Sequence, residues 1–158
     1  MAIQSVYLRS VYEVDVFQKT VNKTVTVAEE LHKKYKFDTI AFCGMSGAAM
    51  AFLLSHRLGV HLICVRKPTD GSHFHSYWAS SKKITLCEGN MSTEKYLIVD
   101  DFITTGGTVD RIVRTIRTEV PKAVCVGMLM YAESHGRNWT LPDGVGLVEV
   151  TPSGLERS

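Results

Sequence analysis

YLIVDDFITTGGTVDRIV, residues 96–113, runs from a short apolar strand through an acid pair and a turn of hydroxyls and glycines into a helix. Tyr96 to Val99 reads as a buried strand with Asp100 and Asp101 at its carboxyl end. Val109 to Arg117 resumes with Val109, Ile112, Val113 and Ile116 at helical spacing. Between them, Thr104, Thr105, Gly106, Gly107 and Thr108 form the turn. The glycines let the backbone approach a ligand closely, and the helix that follows offers unpaired N–H groups and the positive end of its dipole, a combination suited to phosphate. The threonine hydroxyls add donors without adding charge. Asp100 and Asp101, side by side on an extended chain, point to opposite faces of the sheet. One of them then meets a given diol directly, while the other orients or works through water or metal. A lone TGGT fits an ordinary helix cap; the full string of strand, acid pair, TTGGT and helix favours the phosphate reading.

Outward from this string, a chain of 158 residues, 45% apolar, reads as one domain over residues 1–158. Charged residues make up 22% and the formal net charge is only +2, which argues against a nucleic-acid-wrapping surface or a polybasic membrane patch, so any anion site must be local. The N-terminal MAIQSVYLRSVYEVDV has no apolar leader core, and no run approaches the ~20 residues of a membrane span. A soluble cytoplasmic protein is expected. Cys43, Cys64, Cys87 and Cys125 are widely spaced without a CxxC pair or a Cys/His cluster, so they read as reduced core residues rather than zinc ligands. The chain carries neither GxxxxGK[ST] nor GxGxxG.

Strands and helices alternate along the chain. Phe17, Val21, Val25, Ala28, Leu31 and Tyr35 mark a first long helix, with Lys33, Lys34 and Lys36 at its favourable C-terminal end. A strand over Asp38 to Cys43, a helix over Ala48 to Leu58 ended by Gly59, and a strand over Val60 to Arg66 follow. After a long polar segment come the strand and helix quoted above, a strand over Ala123 to Tyr131, and a last one over Val145 to Val150. This order predicts an α/β fold with a mainly parallel sheet covered by helices on both faces and right-handed crossovers. Ligands of such sheets bind at the carboxyl ends of strands.

Further polar segments fall at those ends. Gly44 to Ala48 is a small-residue turn entering a helix, with Ser46 as its expected N-cap. Arg66 and Lys67 leave the next strand as a paired cation. Pro68 to Lys83 is long, polar and glycine-containing, the pattern of either a disordered loop or a functional lid.

VDDFITTGGT resembles the phosphoribosyl pyrophosphate (PRPP) motif of type I phosphoribosyltransferases. It is closer to the adenine and orotate branches than to the hypoxanthine-guanine branch, whose pattern usually carries an aspartate where this chain has Thr104. The resemblance implies a single-domain type I phosphoribosyltransferase-like fold with a small hood and a mobile lid loop. It implies a Mg²⁺-dependent pentosyltransferase that moves the 5-phosphoribosyl group of PRPP to a nitrogenous base, purine or pyrimidine, in nucleotide salvage or synthesis. It assigns Thr104, Thr105, Gly106, Gly107 and Thr108 to the 5′-phosphate; Ser46, Gly47, Arg66 and Lys67 to pyrophosphate; and Asp100 and Asp101, with Arg66 and Lys67, to catalysis. His73, His75, Lys82 and Lys83 are the lid candidates for pyrophosphate, against the alternative that the histidines decorate a surface loop. Mg²⁺ would be carried by PRPP and by Asp100 and Asp101 rather than by a protein cage. The expected partners are PRPP, a nucleobase and a second copy of the chain.

The core is expected over about residues 16–131, leaving residues 1–15, 132–158 or both for the hood. Trp139 and Tyr131 are the base-binding candidates there, and Trp139 would equally well staple the tail to the core. Two other readings stay open: a regulatory protein that senses PRPP or nucleotides without turnover, and an enzyme that uses the same donor site for another acceptor.

Overall fold

The structure, a computed structural model, describes residues 12–67, 86–103 and 105–132, together with the backbone of 149–150 and 156–157. The first helix, α1 (Val14–Tyr35), is held by one face, on which Phe17, Val21, Thr24, Val25, Ala28 and Leu31 pack inward. It ends at Lys36 in the left-handed region (φ 54°), with His32, Lys33 and Lys34 in the last turn where the carbonyl ends favour positive charge. No described helix is long and apolar enough to cross a membrane.

Strand β1 (Thr39–Phe42) is buried at every position, as befits a parallel strand covered on both faces. It leads through α2 (Gly44–Leu58) to β2 (His61–Val65), then to the short β3 (Cys87–Gly89). The chain returns through β4 (Lys95–Asp100), α3 (Gly107–Glu119) and β5 (Val124–Met130), and two further pieces, β6 (Glu149–Val150) and β7 (Glu156–Arg157), close the order. The sheet runs β3-β2-β1-β4-β5-β6-β7; β2, β1, β4, β5 and β6 are mutually parallel, and the two edge strands are antiparallel. The expected α/β architecture is thus the observed one. The two edge strands were not foreseen, because three and two residues are too few to carry an alternating pattern.

Side-chain alternation sorts the core into two layers. Ala41, Ile63, Val65, Ile98 and Met128 pack with Val109, Ile112, Val113 and Ile116 of α3 on one face. Ile40, Phe42, Leu97, Val99 and Leu129 pack with Ala28 and Leu31 of α1 and Met50, Ala51 and Leu54 of α2 on the other. Because β1 continues toward β2 and β4 toward β5, on opposite sides of the sheet centre, the segments leaving these two adjacent strands diverge. That divergence opens a crevice at their carboxyl ends, the usual ligand position in such sheets.

Candidate functional site

Asp100 is the last residue of β4 itself, one position further into the strand than the sequence suggests, and Asp101 follows directly. Both are buried, at 6% and 4% exposure, which is unusual for carboxylates. Asp100 Oδ1 accepts the Ser46 hydroxyl at 3.1 Å and the Asp101 N–H at 2.9 Å. Asp101 Oδ1 accepts the Phe102 N–H at 2.8 Å, while its Oδ2 is buried with no hydrogen-bond partner among the described residues. Burial, and then the negative charge of Asp101, push the Asp100 carboxyl up to about 7. The strand end is fixed from β5: Tyr131 and Ala132 donate their N–H groups to the carbonyls of Asp100 and Asp101 at 3.1 and 2.7 Å.

The segment after β1 brings α2 against this acid pair. Helix α2 starts at Gly44, with Cys43 as an N-cap that makes no side-chain bond, so Ser46 is not the cap. It sits in the first turn, and its hydroxyl is free of the capping role because it turns toward Asp100 instead. The Tyr131 hydroxyl donates to the Ser46 carbonyl at 2.7 Å, tying the start of α2 to the end of β5. Gly47 makes this approach fit: a Cβ there would lie 3.1 Å from both Phe42 Cβ and the Val99 carbonyl, and 3.6 Å from Asp100 Oδ1.

After the acids, the chain turns into α3 with Gly106 as its N-cap at φ 86°, a conformation that glycine adopts at no steric cost. The Gly107 N–H faces Thr105 Oγ1 at 3.4 Å, a long contact that leaves the first turn of α3 open to a stronger acceptor. A cavity of about 290 Å³ lies alongside, lined by Lys67, Asp100, Phe102, Ile103, Met130, the 105–109 turn and Arg111. The strand ends of β2 and β4 and the helix start of α3 therefore meet at one opening.

Arg66 and Lys67 part company there. Lys67 lines the cavity, whereas Arg66 is held across the β2–β3 pair by Glu88, with Nε and Nη2 at 3.0 and 2.9 Å from Oε2. Arg111 is the residue that sequence reasoning missed. It lines the cavity, and burial pushes the nearby Cys43 thiol up, against the opposing positive charges of Arg111 and Lys67. The signal was present in the spacing, since Arg111 lies four and three residues after Gly107 and Thr108, on the same helix face. Tyr131 is 2% exposed and packed in the α1/α2 layer, with its hydroxyl on Ser46. Thr104, His73, His75, Lys82, Lys83 and Trp139 lie outside the described residues, as do the lid segment and most of the expected hood.

Residues 17–145 match the family described as phosphoribosyl transferase domain. The chain is 29% identical over 136 residues to orotate phosphoribosyltransferase of Sulfurisphaera tokodaii, covering 86% of this chain and 63% of that protein. It is 29% identical over 92 residues to adenine phosphoribosyltransferase of Parvibaculum lavamentivorans, covering 54% and 53%. The chain thus spans less than two thirds of the length of either relative. Among solved structures, orotate phosphoribosyltransferase from Aeropyrum pernix aligns with a TM-score of 0.60 at 18% identity, over 92% of this chain and 76% of that one. Adenine phosphoribosyltransferase from Rhodothermus marinus aligns with a TM-score of 0.56 at 16% identity, over 96% and 86%. These likenesses bear on the fold.

Proposed function

The chain belongs to the phosphoribosyl transferase domain family, and from that premise we propose that it transfers the 5-phosphoribosyl group of PRPP to a ring nitrogen of a purine or pyrimidine base, releasing pyrophosphate. One observation carries the reading: the buried Asp100 ends the central strand β4 with the buried Asp101 directly after it, and the glycine turn that opens α3 lines the same cavity as Asp100. The turn at 105–108 supplies backbone N–H groups and hydroxyls for the 5′-phosphate. Asp100 and Asp101 supply acceptors for the ribose hydroxyls and negative charge near C1 as it becomes electron-deficient. Lys67 meets the pyrophosphate.

In the transfer, the C1–O bond to pyrophosphate breaks with its electron pair leaving on oxygen. The lone pair of the base nitrogen forms the C1–N bond, and the proton that this nitrogen carried is released. Such a displacement needs a positioned nucleophile, a neutralised leaving group and exclusion of water more than covalent help.

The acid pair also fits Mg²⁺. The buried, unpartnered Oδ2 of Asp101 beside the Asp100 carboxyl is a hard oxygen donor set of the kind that suits an ion brought in on phosphate oxygens. When bound with the donor, the ion neutralises pyrophosphate charge. The Met45, Phe52 and Leu53 side chains, exposed on α2 at 68%, 59% and 40%, support a homodimer, and a role in nucleotide metabolism is consistent with a cytoplasmic protein.

The reading is tested by incubating the protein with PRPP, Mg²⁺ and a panel of adenine, guanine, hypoxanthine, xanthine, uracil, orotate and nicotinate. Pyrophosphate release is followed, with nucleotide products identified by mass. A single productive base names the substrate. Tight PRPP binding without product from any base overturns the transfer in favour of a nucleotide-sensing protein.

A further inference from the structure

We propose that Ser46 is a positioning residue for the transfer: its hydroxyl fixes the Asp100 carboxylate for the ribose hydroxyls, in place of the direct contact with pyrophosphate to which the sequence points. The assignment rests on the transferase reading and deepens it, moving the start of α2 from the leaving-group side of the site to the sugar side.

The resemblance groups Ser46 and Gly47 with pyrophosphate, yet neither is among the described residues that line the cavity, whereas Asp100 is. Ser46 is 8% exposed, and its hydroxyl donates to Asp100 Oδ1 at 3.1 Å in a bond that is itself buried. A hydroxyl committed in this way acts on a ligand through the carboxylate that it holds.

The carboxylate has need of such a donor. The terminal torsion of an aspartate is broad and roughly two-fold, so its rotamer alone leaves the plane of the two oxygens free to turn. At Asp100 one hydrogen bond to Oδ1 comes from the Asp101 N–H at 2.9 Å, which belongs to the same strand end and moves with it. The Ser46 hydroxyl arrives from another element, 54 residues away in the chain. Two donors from separate elements on one oxygen hold the plane, and an acceptor that does not reorient when the sugar arrives loses less on binding.

Ser46 is itself fixed to three neighbouring strands, β1, β4 and β5. Tyr131, just past β5, donates its hydroxyl to the Ser46 carbonyl at 2.7 Å. The next residue, Gly47, lies so close to Phe42 of β1 and Val99 of β4 that a Cβ would sit 3.1 Å from an atom of each. A serine that only capped a helix would need none of these ties, and Ser46 is not the cap.

The test measures binding of ribose 5-phosphate and of inorganic pyrophosphate, each with Mg²⁺, by calorimetry to the parent protein and to Ser46→Ala, Ser46→Cys and Ser46→Thr. Ser46→Ala is expected to weaken ribose 5-phosphate about fivefold while leaving pyrophosphate within about twofold. Ser46→Cys, close to serine in size but a weak donor, carries the same expectation and takes its place should the alanine variant fold poorly. Ser46→Thr keeps the hydroxyl and should bind ribose 5-phosphate within about twofold of the parent. A merely structural role would weaken both probes together, and a direct pyrophosphate ligand would weaken pyrophosphate alone. Either result overturns the proposal, as does unchanged affinity for both probes in the alanine and cysteine variants, or a threonine variant as weak toward ribose 5-phosphate as they are. Those outcomes leave the transferase reading standing; a parent protein that lacks affinity for one or both probes overturns both.

Discussion

The Ser46 hydroxyl donates to Asp100 Oδ1 at 3.1 Å across 54 residues of chain, joining the first turn of α2 to the last residue of β4. It meets a carboxylate whose burial already disfavours its charge. Replacing Ser46 by Ala should cost about 1 to 2 kcal/mol of stability, because the bond is to an ionisable group inside the protein. Urea unfolding at neutral pH measures it, and an unchanged midpoint would show that the bond contributes nothing to the fold.

Asp101→Asn should move stability and turnover in opposite directions. The unpartnered buried Oδ2 is a cost to the folded state, and an uncharged amide of the same shape relieves it together with repulsion from Asp100. A gain of about 1 kcal/mol is expected in unfolding, against a loss of roughly 100-fold in pyrophosphate release. A well-folded Asn variant with full turnover would remove Asp101 from the reaction.

For Tyr131, the structure separates two roles that the sequence left together. With its ring in the core and its hydroxyl on the Ser46 carbonyl at 2.7 Å, Tyr131→Phe should lose about 1 kcal/mol of stability while KM for the base stays as in the parent. A raised KM for the base alone, without loss of stability, would return Tyr131 to the base-binding role.

Asp38, at the opposite end of the sheet from the site, gives a pH dependence. Burial pushes its carboxyl up, but hydrogen bonds from the Thr39 and Thr93 hydroxyls and the Glu94 and Lys95 amides outweigh this and hold it below its ordinary 3.8. A folded-state value below the unfolded one means that the contribution is complete above the unfolded value and is lost as pH falls through the folded value. The stability gap between the parent and Asp38→Asn should therefore be level from about pH 7 to about pH 5 and narrow as the pH falls below 3.8. Urea midpoints across that range decide it; a gap that widens in acid would reverse the sign of the shift.

The central strands were legible because Ile40 to Phe42 of β1 and Tyr96 to Val99 of β4 are unbroken apolar runs, and the acid pair was legible because it stops one of them. The start of α2 was not. Gly44, Ser46 and Gly47 carry the composition of a turn and a cap, yet Gly47 lies inside the helix, where the reason for its small size is the backbone of Val99 in another strand. Arg66 and Arg111 show the same limit. A cation at a strand end can be read locally, but the partner that claims Arg66 is Glu88, 22 residues on, and the cavity that Arg111 lines exists only once α3 has docked on the sheet.

Gly47 also acts as a spacer gauge for the acid pair. The helix that carries Ser46 rests on the Phe42 side chain and the Val99 carbonyl with no room for a methyl group between them. Any side chain at that position would lift the start of α2 by some tenths of an ångström and lengthen the Ser46–Asp100 contact with it. The proton affinity of a carboxylate at the mouth of the cavity is thus tuned by the clearance between a helix and a strand, and a substitution that touches neither acid nor ligand can retune it.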